Sequence, residues 1–123
     1  MKTQKKLLVV CVILALVVST TAQLKLPSVI SDQMVLQQQT KAPVWGWAAP
    51  GAIVTIKTDW SSEPVKVKTN AEGKWRADIK TPSAGGPYAL TVSDGDSTVK
   101  ITDILVGEVW ICSGQSNMQW TLN

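Results

Sequence analysis

The amino-acid sequence predicts an all-β protein, a sandwich of immunoglobulin-like or jelly-roll type, over most of its 123 residues. From Leu26 to about Val106 the chain is a series of short runs rich in Val, Ile, Thr and Trp, and turn residues separate these runs. Within the runs apolar and polar residues alternate, as the valines and lysines of Val65–Lys68 do. This alternation is typical of strands that bury one face.

The first 22 residues are organised like a secretory signal peptide. Three lysines precede an apolar run from Leu7 to Val18, and small residues lead up to Ala22. This run of 12 residues is short for a bilayer span, so we expect no permanent membrane anchor. The sequence predicts cleavage after Ala22, a mature chain from Gln23 and a secreted or periplasmic location.

Seven strands are predicted in residues 23–106, the predicted sandwich domain. They span Met34–Gln38, Pro43–Trp47, Ala52–Thr58, Val65–Thr69, Lys74–Ile79, Tyr88–Ser93 and Thr98–Thr102. Turn segments such as Ala49-Pro50-Gly51 separate them, where Gly supplies positive φ and Pro fixes the bend. Strands of this number and spacing indicate a sandwich.

The apolar residues after Thr102 no longer alternate with polar ones. The run from Ile104 to Cys112 is typical of a strand buried on both faces, as in a parallel sheet covered by helices. We therefore expect a boundary near Gly107, with residues 107–123 as the start of a second, α/β domain.

A serine follows this predicted strand on a tight turn, Ser113-Gly114-Gln115-Ser116-Asn117-Met118. Such a turn exposes the Ser116 hydroxyl, and the amide groups beside it can face a developing oxyanion. The segment differs from the G-x-S-x-G elbow, because Met118 stands where the second Gly would be. Ser116 is the candidate nucleophile; a polar turn residue is the alternative interpretation.

The segment from Val109 to Met118 resembles the first conserved block of the sialate O-acetylesterases, in the SGNH group of hydrolases. Upstream, Pro43–Ala48, Gly73–Trp75 and Gly85–Tyr88 resemble the β-sandwich domain that precedes this block in the family. The resemblance covers roughly Leu26 to Leu122.

The resemblance implies that Ser116 attacks the acetyl ester of O-acetylated sialic acid or a related glycan, and that its backbone amide helps form the oxyanion hole. In the family a later Asp-x-x-His segment supplies the base and its orienter, whereas this chain contains no His. We therefore expect the N-terminal part of a secreted esterase, truncated after the nucleophile and inactive by itself. The alternative is a secreted carbohydrate-binding or interaction module without catalysis.

Charge and composition argue against other partners. The chain has 12 Lys and Arg against 9 Asp and Glu, and three of the lysines lie in the predicted signal peptide. The remainder is balanced, which gives no electrostatic footprint for nucleic acid. No cofactor or metal is expected, because the spacing of Asp94, Asp96 and Asp103 matches no calcium loop and favours solvated turn residues.

The tryptophans and cysteines are assigned to packing or exposure by their surroundings. Trp45 and Trp47 project to one face of a strand, where core or interdomain packing is favoured over a sugar platform. Trp60 lies in a polar stretch and is the better candidate for an exposed aromatic. Cys112 is interpreted as a small core residue, and it has no disulfide partner once Cys11 is removed with the signal peptide.

Overall fold

The computed structural model describes residues 22–112. The strands of this range are β1 (Val35–Gln37), β2 (Lys41–Trp47), β3 (Ile53–Thr58), β4 (Ser61–Lys68), β5 (Lys74–Lys80), β6 (Gly85–Ser93) and β7 (Thr98–Gly107). All seven predicted strands are present; β4 and β6 begin earlier than predicted and β7 ends later. Within the described range no helix is long and apolar enough to cross a membrane.

The strands form two sheets, one of five strands in the order β1-β7-β6-β3-β4 and one of two, β2-β5. Neighbouring strands are antiparallel except β1 and β7, which are parallel. A single core cluster takes residues from both sheets, including Val44 and Ile79 from the smaller and Ile56 and Leu90 from the larger. The all-β sandwich prediction is confirmed.

In β2 and β5 buried and exposed residues alternate at every position. The residues of these strands that face the core are Ala42, Val44, Gly46, Trp75, Ala77 and Ile79. The other side, called here the outer face of β2–β5, consists of Lys41, Pro43, Trp45, Trp47, Lys74, Arg76, Asp78 and Lys80. This period of two is what the pleat of a strand imposes.

Gly46 occupies a position with no room for a side chain. A Cβ there would meet the carbonyl oxygen of Lys25 and lie 3.0 Å from the Trp75 ring. The backbone of Lys25 is itself fixed, because it exchanges two hydrogen bonds of 2.9 Å with Trp47. The Gly between the two tryptophans therefore lets the segment before β1 pair closely with the end of β2.

Gly46→Ala is expected to lower the free energy of unfolding by about 1–3 kcal/mol, because the added methyl group overpacks against backbone that cannot move aside. Urea unfolding of the chain, followed by tryptophan fluorescence, measures the change. Gly107→Ala is the matched control, since a Cβ at Gly107 meets nothing within 4 Å; its effect should stay within about 0.5 kcal/mol. Equal losses in the two variants would contradict the explanation.

The apolar stretch after Thr102 is organised differently from the sequence expectation. Ile104 to Gly107 complete β7 and pair with β1 and β6. Asp103 has a φ of 56° and lies where β7 has one more residue than β6, so both Ile101 and Ile104 are buried although they are three positions apart. Residues 108–112 form no strand and are exposed. The predicted strand buried on both faces is therefore wrong.

The two edges of the five-stranded sheet are β1 and β4. β1 has only three residues. β4 is longer, but Pro64 and the exposed side chains of Lys66 and Lys68 lie along it.

Candidate functional site

Ser116 and its turn, Ser113–Met118, lie outside the described residues. The structure does place the segment that leads towards them. β7 ends at Gly107, and the following residues have no regular structure. Val109, Trp110 and Ile111 are 49%, 81% and 93% exposed. The apolar segment that follows the sandwich is thus not covered by any residue of the described range.

Cys112 is exposed, and its thiol is free among the described residues. The interpretation of Cys112 as a core residue is therefore wrong. The reason is that β7 ends at Gly107, so the strand that was expected to carry Cys112 into a buried sheet is not formed.

The start of the exposed segment is held by side chains of β1 and the residue after it. Gln37 Nε2 donates to one Glu108 oxygen over 3.0 Å, and Gln38 Nε2 donates to the other over 2.6 Å. Gln37 Oε1 in turn accepts the Val109 amide hydrogen over 2.8 Å. Because the Gln37 and Gln38 amides stabilise the charged form, the pKa of Glu108 lies below its ordinary value.

Backbone contacts support this Gln37–Gln38–Glu108 cluster. The backbone N–H of Gln38 donates to the Gly107 carbonyl over 2.8 Å, and the Gln38 side-chain oxygen Oε1 accepts from the Ala84 N–H over 2.9 Å. The buried Thr81 hydroxyl donates to Gln37 O over 2.7 Å. The cluster fixes the start of the segment that follows β7, which precedes Ser116 in the sequence. The sequence does not reveal this cluster, because a Gln run gives no sign of a partner some 70 residues away.

The outer face of β2–β5 presents two tryptophans to solvent. Trp45 is 38% exposed and Trp47 is 39% exposed. With Pro43, Lys74 and Arg76 they line a shallow groove of about 630 Å³. Trp45 and Trp47 do not pack in the core of the sandwich, because the core positions of β2 and β5 are filled by smaller residues and by Trp75. Interdomain packing, the other part of the sequence expectation, stays a prediction.

Trp60 has a structural role instead. Its ring meets Tyr88 edge to face, with centroids 5.2 Å apart and an angle of 67° between the planes. Its Nε1 donates to the Lys80 carbonyl over 2.9 Å, and the side chain packs against the core cluster. The prediction that Trp60 is the better exposed aromatic is therefore wrong. A hydrogen-bond partner for the indole N–H explains how a Trp in a polar stretch becomes half-buried.

The acidic residues between β6 and β7 stabilise a turn. Asp94 Oδ1 accepts from the amides of Asp96 and Ser97 over 3.0 and 2.7 Å. Gly95, at a φ of 97°, supplies the bend. Among residues 22–112 no group of three or more His, Cys, Asp or Glu side chains is placed to hold a metal ion.

Comparison with known proteins identifies the relationship of the chain. No protein-family model matches it. It is 35% identical over 104 residues to the sialate O-acetylesterase of Homo sapiens, and 34% identical over 105 residues to that of Mus musculus. These matches take in 77% and 78% of this chain. The chain is homologous to part of the sialate O-acetylesterases.

The homology to sialate O-acetylesterases is partial on their side. The chain spans about a fifth of the length of the curated relatives it matches. A solved structure, described as a novel carbohydrate acetylesterase from Xanthomonas citri, superposes with a TM-score of 0.71 and 38% identity. It covers 80% of this chain, which in turn covers 22% of it. The sandwich described above is therefore a part that these esterases share.

Proposed function

We propose that the chain is part of a secreted serine esterase that removes O-acetyl groups from sialic acid or related acetylated sugars, with Ser116 as nucleophile. The observation that carries the proposal is the homology to sialate O-acetylesterases at about 35% identity over 77% of the chain. The Xanthomonas citri carbohydrate acetylesterase supports the same substrate class.

In the proposed reaction the Ser116 oxygen bonds to the acetyl carbonyl carbon while a base takes its proton. The backbone amide of Ser116 donates to the oxyanion that forms. The bond from the carbonyl carbon to the sugar oxygen then breaks, and the sugar leaves as the alcohol after protonation. Water attacks the acetyl-enzyme, releases acetate and returns the serine. Since the chain has no His, the base comes from a residue outside these 123.

The contribution of the described residues is positional. β7 and the Gln37–Gln38–Glu108 cluster set the start of the segment that ends in the nucleophile turn, and three hydrogen bonds of 2.6–3.0 Å hold it. Catalysis of this kind depends on holding the nucleophile close to its productive geometry. We infer that the sandwich serves as the platform for the nucleophile segment.

The test uses a chimaera in which this chain replaces the matching segment of the Homo sapiens sialate O-acetylesterase. The chimaera should release acetate from 9-O-acetylated sialic acid, measured by coupled assay. A folded chimaera without hydrolysis, in parallel with an active unaltered relative, would contradict the proposal.

Export is part of the same proposal. The lysines, the apolar run and the small residues before Gln23 support a signal peptide that is removed after Ala22. A mass spectrum of the exported protein should give a chain that starts at Gln23. An exported chain that retains residues 1–22 would overturn the assignment.

A binding module without catalysis remains the second candidate, and one observation favours it. The outer face of β2–β5 leaves two tryptophans and several cations exposed beside a groove. Ser116 is not part of that face, so a ligand could bind there without catalysis.

A further inference from the structure

The outer face of β2–β5 exposes aromatic surface that the core does not use. Trp45 and Trp47 each leave more than a third of their surface in solvent, at 38% and 39%. The core beneath them is closed by other residues, with Val44 1% and Trp75 3% exposed. An indole offers a flat apolar face with a polar edge, on which the C–H face of a sugar ring can pack.

Cations stand directly beside these rings. In the register of the two strands Trp45 is opposite Arg76, and Trp47 is opposite Lys74. The acidic neighbours bind these cations weakly: Lys74 Nζ is 3.7 Å from Glu72, and Arg76 Nε is 3.8 Å from Asp78, with all four side chains at least half exposed. Exposed pairs at such distances add little. Lys74 and Arg76 therefore keep donors free for an anion.

The far end of the same face adds a second cationic pair. Lys41 of β2 lies directly opposite Lys80 of β5. Like charges opposite each other on a sheet are destabilising, and a bound anion relieves the repulsion. The outer face of β2–β5 thus has four cationic side chains, and Asp78 is the one carboxylate among the residues of these two strands that form it.

We propose that the outer face of β2–β5 binds a glycan that ends in sialic acid. Trp45 and Trp47 pack against the sugar rings, and Arg76 or Lys74 pairs with the sialic acid carboxylate; the planar guanidinium suits a two-point contact with that group. The proposal rests on the proposed function for its choice of sugar. It adds a site on the sandwich that retains the substrate class on which Ser116 acts.

The test is isothermal titration of the full chain with 3′-sialyllactose and with lactose, its neutral counterpart. Sialyllactose should bind at least about tenfold more tightly than lactose, and added salt should weaken it. Trp47→Ala and Arg76→Gln should each weaken binding by about tenfold. Lys57→Gln and Lys66→Gln are matched controls, since these exposed lysines lie on the five-stranded sheet, and they should leave binding unchanged. Circular dichroism checks that each variant is folded.

Four outcomes would overturn the proposal. The first is binding of lactose as tight as that of sialyllactose, and the second is a loss of affinity in Lys57→Gln as large as that in Arg76→Gln. The third is tighter binding of oligothymidylate, titrated as a nucleic-acid anion, than of sialyllactose. The fourth is no sialoside binding by the folded chain. The last would make the face a packing surface. Acetate release by the chimaera without sialoside binding by the chain would overturn this inference and leave the proposed function standing. Sialoside binding without acetate release would do the reverse.

Discussion

Ser116→Ala in the chimaera is expected to lower acetate release about a millionfold, which corresponds to about 8 kcal/mol of activation free energy. The expected loss is this large because in the proposed mechanism the serine oxygen forms the covalent intermediate, and Ala provides no atom that can bond to the acetyl carbon. Single-turnover and steady-state hydrolysis of 9-O-acetylated sialic acid measure the change. Labelling by a fluorophosphonate should disappear with it.

Ser113→Ala is the control for this prediction, because Ser113 belongs to the same turn and carries the same hydroxyl group. Its variant should keep hydrolysis within about tenfold of the unaltered chimaera, which is about 1.4 kcal/mol. A loss of only tenfold in Ser116→Ala would mean that another residue is the nucleophile. A millionfold loss in Ser113→Ala with Ser116→Ala active would assign the role to Ser113.

The 123-residue chain by itself is expected to hydrolyse 4-nitrophenyl acetate no faster than its own Ser116→Ala variant. A serine hydroxyl is a poor nucleophile near neutral pH and needs a positioned base. The chain has no His, the nearest lysine before Ser116 is Lys100, and no lysine follows. Release of 4-nitrophenol, followed by absorbance at equal protein concentrations, gives the comparison.

The chimaera is the positive control for this assay, because it restores the remainder of a sialate O-acetylesterase around the same serine. Turnover by the short chain that Ser116→Ala abolishes would show that no histidine is required. The assignment of the catalytic base to a residue outside these 123 would then be wrong.

Much of the sandwich was predictable because its strands bury one face. In Lys74–Lys80 the alternation of buried and exposed positions is complete and is written in the order of apolar and polar residues. In Lys41–Trp47 burial alternates just as fully, but the exposed positions include two tryptophans and a proline, so the residue order does not show it. Turn residues such as Gly73, at a φ of 76°, then separate the strands. The sequence reveals such elements because burial and backbone conformation are both properties of single residues.

The errors arose where a residue's role depends on distant partners. Ile104 belongs to β7 because the extra residue at Asp103 restores its inward direction, and no local pattern announces such a bulge. Trp60 is half-buried because Tyr88 and the Lys80 carbonyl receive it. The Gln37–Gln38–Glu108 cluster joins residues about 70 positions apart in the sequence. Ser116, predicted from its turn and from family resemblance, stays a prediction.

The edges of the five-stranded sheet have a consequence for how the protein behaves at high concentration. An exposed edge strand offers unpaired amides and carbonyls to another chain, and intermolecular strand pairing then leads to aggregates. β1 is too short to template much pairing, and β4 presents a proline, which lacks a donor, and lysines, which repel their own copies. We expect these two edges to keep the five-stranded sheets of separate copies from pairing edge to edge.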